Sequence, residues 1–205
     1  MGGSKCRGKV KIIARAALPT QYGKFTVVAF CNSIDKKEHV ALVKGEVRGK
    51  ENVPLRMHSE CLTGDVFHSL RCDCRAQLEA ALKKISRLPS GVVLYMRQEG
   101  RGIGLTNKIR AYELQDRHGF DTVQANLALG FPSDIRDYDV AAEMVKVLGI
   151  KSVNLITNNP DKIGRLLKYG VRVVKRIPHE FGRTKYNSAY LDVKKKKMRH
   201  MLSEV

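Results

Sequence analysis

No run in the chain approaches the roughly 20 apolar residues that a helix needs to cross a bilayer, so no membrane span is expected. The N-terminal stretch MGGSKCRGKVK is basic, but no apolar core follows it, which excludes the pattern of a secretory signal. A cytoplasmic protein is the resulting expectation. Internal repeats, low-complexity tracts and Pro/Gly/Ser-rich linkers are also missing, and with them any reason to cut the chain. Five cysteines in 205 residues are too few for a disulfide scaffold. Cys6 and Cys31 stand apart and read as a tail thiol and a strand residue. Aromatic residues make up only 6% of the chain and do not interleave with basic ones, so a nucleic-acid-binding surface is disfavoured.

Acidic residues are scarce as well: 20 Asp and Glu face 38 Lys and Arg, for a net charge of +18. Such a field attracts polyanions, and a nucleotide triphosphate is as good a candidate as nucleic acid or an anionic membrane. The one block of like charge, Lys194 to Lys197, reads as a solvated helix face.

The first third of the chain reads as strands: VKIIARA, KFTVVAF, HVALVKGEV and PLRMHSE are rich in Val and Ile, with turn residues between them. RAQLEAALKKISRL then carries Leu78, Ala81, Leu82 and Ile85 at helical spacing. GVVLYMR is a short apolar strand, followed by a glycine-rich turn and a helix through GLTNKIRAYELQDRHG, which ends where Gly119 can close it. YDVAAEMVKVLG, SVNLIT, DKIGRLLKYG and VRVVKRI alternate helix and strand, and NSAYLDVKKKKMRHML is a last amphipathic helix. The alternation predicts an α/β fold, a mixed β-sheet with helices packed on it and a β-rich N-terminal part. Residues 1–9 form a tail and 10–205 a single domain.

Four stretches carry chemistry. In HSECLTGDVFHSLRCDC, Cys61, Cys72 and Cys74 lie within fourteen residues, joined by His58 and His68. Thiolates are strong zinc ligands, and three protein ligands leave a place for water, whereas a histidine as fourth ligand would close a structural site. Spacing leaves both arrangements open. Asp73, between two of the cysteines, could orient a ligand or face solvent. In RQEGRGIGL, backbone N–H groups of the glycine turn could meet an anion. Glu99 between Arg97 and Arg101 suits the N1–H and amino edge of guanine, or forms a surface ion pair. GFPSDIRDYD places Asp134 two residues before Arg136, either a structural salt bridge or a base beside a phosphate ligand. LITNNPDKIG ends a strand in polar residues before a proline-started helix, the usual ligand crevice of α/β sheets or simple N-capping by Asn159.

In their order, HSECLTGD, SLRCDC, RQEGRGIGL, NKIRAYELQD, the D-x-R loop and LITNNP resemble GTP cyclohydrolase II, the enzyme family that opens riboflavin biosynthesis, over roughly residues 10 to 202. The resemblance implies a zinc ion on Cys61, Cys72 and Cys74, whose water attacks C8 of guanine. Formate and pyrophosphate leave, and 2,5-diamino-6-(5-phosphoribosylamino)pyrimidin-4-one remains. It implies Asp134 as proton acceptor, Arg136 as nucleophile toward the α-phosphorus and Tyr112 beside the metal. A charged guanidinium is a poor nucleophile, so stabilisation of phosphoryl transfer is the physically easier role for Arg136. The nucleotide-binding positions map onto Arg56, Met57, His58, Ser59, Glu60, Gln77, Glu99, Gly100, Arg101, Thr122, Thr157 and Lys162. Magnesium on the triphosphate and a homodimer are implied too.

His68, Arg75 and one extra residue near Arg117–Gly119 depart from the bacterial pattern, away from any ligand position. About ten residues precede the match, so no fused dihydroxybutanone-phosphate synthase domain is expected. Two alternatives stand beside this reading. One is a relative that stops at the formylated ring-opened nucleotide, against which Tyr112 argues. The other is a zinc-stabilised module that binds nucleic acid through its basic surface.

Overall fold

The computed structural model describes residues 6, 9–181 and 184–203. Seven strands form one sheet in the order β1-β2-β3-β5-β4-β6-β7. The N-terminal strands β1 (Val10–Thr20), β2 (Gly23–Asn32) and β3 (His39–Lys44) run as an antiparallel meander. Strand β3 pairs antiparallel with β5 (Gly91–Met96), and from there the sheet turns parallel through β4 (Val53–Ser59), β6 (Val153–Ile156) and β7 (Val173–Ile177). The mixed sheet expected from the sequence is therefore present, with its β-rich part at the N-terminus.

Helices connect the parallel half, as parallel strands require. After β4 come a single turn, α1 (Leu62–Asp65), and then α2 (Cys74–Ser86). After β5 come a short 3-10 turn at Glu99–Gly102, α3 (Leu105–His118), α4 (Thr122–Ala128) and α5 (Asp139–Val147). Helix α6 (Pro160–Lys168) joins β6 to β7, and α7 (Ser188–Lys196) follows the last strand. Gly119 closes α3 in the left-handed region at φ 67°, as its position in the sequence anticipates. Helices α1 and α4 lie in stretches where no helix is expected from periodicity, because each is too short to show one. Helix α4 is instead announced by a capping box, Asp121 with Gln124.

The period-two alternation of the strands divides the core. Leu55, Met57, Val92, Leu94, Val153 and Leu155 pack on one face with Val140, Met144 and Leu166 of α5 and α6. Val93 and Ile156 pack on the other, with Ala81, Leu82 and Ile85 of α2. In β4 the same alternation sends Arg56 and His58 to the face opposite Leu55 and Met57, and both are buried. Burying an arginine and a histidine beside a helix costs desolvation that only specific partners offset. The partners are Ile156 O at the end of β6 and Gln77 of α2 for Arg56, and Asp65 of α1 for His58.

Cys6 and Cys31, expected as separate thiols, form a disulfide with Cα atoms 5.8 Å apart. The reason is register. β1 pairs with β2 from Thr20↔Gly23 to Val10↔Asn32, so the chain entering β1 passes the end of β2. A sequence separation of 25 residues does not reveal that approach.

Leu94 is fully buried in the central strand β5. Leu94→Ala should lower unfolding free energy by about 2–5 kcal/mol in urea titration; a loss near zero would place β5 outside the core.

Candidate active site

Asp65 organises the end of β4. Its carboxylate accepts from His58 Nε2 at 3.0 Å, from the backbone N–H of Cys61 at 3.0 Å and from Tyr95 Oη at 2.8 Å. His58 and Asp65 are both almost wholly enclosed, and the His58 ring stacks on Tyr95. Burial pushes His58 below its ordinary pKa, although Asp65 opposes the shift. This cluster fixes the turn that presents Cys61.

The thiols of Cys61, Cys72 and Cys74 converge, with their sulfurs within 4.8 Å of one another. Cys61 Sγ and Cys72 Sγ are 3.7 Å apart. Two thiolates on one tetrahedral zinc, at about 2.3 Å each, lie about 3.8 Å apart, so the spacing fits that ion. The thiols also perturb one another. Cys72 and Cys74, followed by the Lys108 ammonium, hold Cys61 far below the usual thiol range, whereas Cys61 pushes Cys72 up to about 11. A divalent cation relieves such crowding by taking all three as thiolates. Gly64 makes the approach possible: a Cβ there would lie 3.0 Å from Cys72 Sγ and 3.1 Å from Cys61 Sγ. His68 is exposed and takes no part, and among the described residues no fourth soft ligand joins the three.

Glu99 and Lys108 support the cysteines from the glycine turn and from α3. Lys108 Nζ donates to Cys61 Sγ at 3.1 Å and to Glu99 Oε1 at 2.8 Å. Glu99 also accepts from the N–H groups of Leu62 at 2.6 Å and Gly100 at 2.9 Å. A carboxylate offers about four lone-pair sites, so three accepted bonds leave room for one further donor rather than for both donors of a guanine edge. Arg101 holds a left-handed conformation at φ 59°, which a non-glycine residue adopts only under constraint. Its guanidinium donates to Ser133 O and Thr122 Oγ1.

These groups border a cavity of about 810 Å³ that the three cysteines, Glu60, Glu99, Gly100, Lys108, Tyr112 and Thr122 help line. Beyond it lies a chamber of about 90 Å³, walled by Arg56, His58, Gln77, Thr157, Lys162 and others. Ser59, Cys74, Arg101, Arg136 and Tyr190 line both, so the two spaces adjoin. The chamber is strongly cationic. Arg56 donates to Ile156 O and to Gln77 Oε1, while its Nε is buried with no partner among the described residues. Lys162 Nζ donates to the carbonyl of Met57 at 2.8 Å, and burial, with Arg56 and Arg136 nearby, drives its pKa well below the ordinary lysine range. Perturbation of this kind is what an anion would relieve.

Arg136 stands at the junction. It grips Asp134 through Nε at 2.9 Å and through a second, shorter bond from its terminal nitrogen, and it donates to Ser59 Oγ at 3.2 Å. Burial alone would ease its proton off, but Tyr138 and Asp134 more than offset this and keep it charged. Burial likewise disfavours the Asp134 carboxylate, yet Arg136 outweighs it and holds that pKa below the usual range. Asp134 lies behind Arg136 and lines neither space.

A family model described as GTP cyclohydrolase II matches residues 11–178. GTP cyclohydrolase-2 of Haemophilus influenzae (strain PittGG) is 54% identical over 95% of this chain and 90% of its own length. The chain belongs to the GTP cyclohydrolase II family. The riboflavin biosynthesis protein RibBA of Endomicrobium trichonymphae is 55% identical over 94% of the chain, which spans only 48% of that protein. Among solved structures, RibBX of A. baumannii, a two-domain 3,4-dihydroxy-2-butanone 4-phosphate synthase, aligns over 85% of this chain with a TM-score of 0.50. At 16% identity that likeness concerns the fold alone.

Of the positions that the GTP cyclohydrolase II pattern designates, the structure brings all but two to the walls of the paired cavities. Asp134 lies behind Arg136, which it contacts. Met57 points into the core and offers only its carbonyl, because β4 alternates. The alternative of N-capping at Asn159 also holds, since its side chain accepts from Asp161 N. Sequence reasoning missed Asp65, Lys108, His179 and Lys194. Asp65 had a signal in HSECLTGD, four residues after Cys61; Lys108 had one in its helical spacing from Ala111 and Tyr112.

Zinc content separates the two expectations for the cysteine stretch. Cys72→Ser should lose bound zinc in elemental analysis, whereas His68→Ala should keep the wild-type stoichiometry; zinc loss in His68→Ala would make the histidine a ligand. His179 supplies a pH test. Burial first, and then Arg56, push its pKa down to about 3 from an unfolded value of 6.5. Below pH 6.5 the unfolded chain binds a proton that the folded chain refuses, so stability falls as pH drops from 6.5 toward 3. His179→Gln should flatten that part of the urea-midpoint profile, and an unchanged profile would place the titration elsewhere.

Proposed function

We propose that the paired cavities hold magnesium-complexed GTP, with the guanine toward the cysteines and the phosphates in the cationic chamber, and that the site opens the imidazole ring. The observation that carries this reading is the adjacency of the two spaces. A three-thiol cluster borders a cavity large enough for a nucleoside, and Cys74, Arg101 and Arg136 line both it and the small cationic chamber. Zinc on Cys61, Cys72 and Cys74 would supply a Lewis acid and a water of lowered pKa. The products are formate, pyrophosphate and 2,5-diamino-6-(5-phosphoribosylamino)pyrimidin-4-one.

The chain's own residues do the positioning. Lys108 neutralises charge on Cys61 and, through Glu99, locks the glycine turn to the cysteine turn. The remaining lone pair of Glu99 can accept one guanine donor, and Tyr112 lines the same cavity to orient substrate. Arg136, held charged, acts through electrostatic stabilisation of the transferring phosphoryl group rather than as a nucleophile. When a phosphate draws on Arg136, its hold on Asp134 weakens and the carboxylate becomes more basic, which suits Asp134 to accept a proton at that moment. A cytoplasmic homodimer completes the proposal, on the strength of the family resemblance. Among the described residues, no helix is long and apolar enough to cross a membrane.

Zinc-loaded protein with GTP and magnesium should release formate and pyrophosphate in equal amounts. Arg136→Met should lower turnover by at least about a hundredfold, as loss of a transition-state charge partner does, while Arg136→Lys keeps part of it. Untouched GTP would overturn the reading, and a retained formyl group seen by mass spectrometry would favour the formylated alternative.

A further inference from the structure

The family match ends at Pro178, yet the chamber does not. Its outer wall comes from later residues, among them Tyr190, Lys194, Met198 and His200. The segment is anchored to the crevice where Met201 N donates to Asn158 O at 2.8 Å, and it is folded on itself where His200 N donates to Lys194 O at 3.0 Å. Lys194 is buried rather than solvated like the other lysines of its run, and its Nζ donates to Asp73 Oδ1 at 2.5 Å. Asp73 also accepts from Gln77, which in turn accepts from Arg56. Asp73 is thus the carboxylate within a wall that contains Arg56, Arg101, Arg136, Lys162 and Lys194, and Asp134 backs Arg136 from behind it. Among the described residues, these two carboxylates leave the five cations in excess. Arg56 Nε and His200 Nε2 are buried without hydrogen-bond partners among the described residues.

We propose that the segment from Ser188 to Leu202 is a strap that completes the phosphate chamber, and that its Lys194 and His200 are substrate-binding residues that contact the triphosphate. This rests on the reading of the chamber given above and adds two ligands to it. An ammonium has three donors, so Lys194 can keep Asp73 and still donate to a phosphate oxygen. A neutral histidine has one N–H, and a phosphate oxygen would give His200 the partner it lacks. By linking Lys194 to Asp73, between two of the clustered cysteines, the strap also ties the phosphate end to the thiol end.

The test uses zinc-loaded full-length protein and two probes that are not turned over, inorganic tripolyphosphate for the chamber and guanosine for the larger cavity, titrated by calorimetry. Lys194→Met should weaken tripolyphosphate binding at least about tenfold, the cost of one charge-assisted hydrogen bond. His200→Gln should weaken it by a smaller factor. Guanosine affinity and zinc content should stay at wild-type values, and Lys194→Arg should recover most of the loss. Unchanged tripolyphosphate affinity in both variants overturns the proposal. So does a Lys194→Met protein that loses zinc or guanosine binding while His200→Gln binds tripolyphosphate like the wild type, because Lys194 then serves only to hold Asp73. A wild type that binds tripolyphosphate through Lys194 yet leaves GTP intact supports the strap and defeats the cyclohydrolase reading. Active enzyme whose variants bind tripolyphosphate unchanged defeats the strap alone.

Discussion

Buried positive charge around one small chamber is the constraint on which the site depends. Arg56, Arg101, Arg136, Lys162 and Lys194 meet there in a space of about 90 Å³. Like charges so close, and so far from water, oppose folding unless something offsets them. The fold offsets part of the cost with Asp73, Asp134 and the carbonyls of Met57 and Ile156. The remainder is stored as depressed basicity, most plainly in Lys162 and in Arg56, whose pKa burial pushes down to about 10. A polyanion bound in the chamber would return that stored energy. The high net charge of the chain is thus partly structural in origin, with cations placed inside rather than merely scattered on the surface.

The scaffold can bear this because of where β4 lies. It is flanked by two parallel strands, with helices on both faces of the sheet. Every second residue is free to be polar so long as it points to the α2 side, and Arg56 and His58 occupy two such positions. The hydrophobic cost is carried by Leu55, Met57, Leu94 and Leu155 on the opposite face. A one-residue slip of β4 would bury Arg56 and His58 among α5 and α6 and expose Leu55 and Met57 to the cavity, so register itself is under chemical control.

Much of this was legible in the sequence. Strands, longer helices, the mixed sheet and the cysteine triad follow from periodicity, from turn residues and from three cysteines within fourteen residues. What stayed hidden depends on tertiary approach. The Cys6–Cys31 bond follows from the register of β1 on β2, and Lys194 lies in a lysine run whose other members, Lys195, Lys196 and Lys197, are exposed as expected. A helix face that buries one lysine in a run of four carries the same local pattern as one that buries none. Only its contact with Asp73, 121 residues earlier, distinguishes them.

Asp65 and Asp73 show how two carboxylates of one stretch come to serve different ends. Asp65 lies deep, spends its lone pairs on Cys61 N–H, His58 and Tyr95, and so sets the position of the first thiol. Asp73 stands at the start of α2 and reaches outward to Lys194 and Gln77, at the cationic chamber. Lys194 thus ties the chamber to the turn between the second and third cysteines, whereas Asp65 holds the first in place through its backbone. Cys61, with Lys108 against its sulfur and Asp65 on its backbone, is the fixed point of the cluster. Cys74, at the start of α2, also lines the cationic chamber.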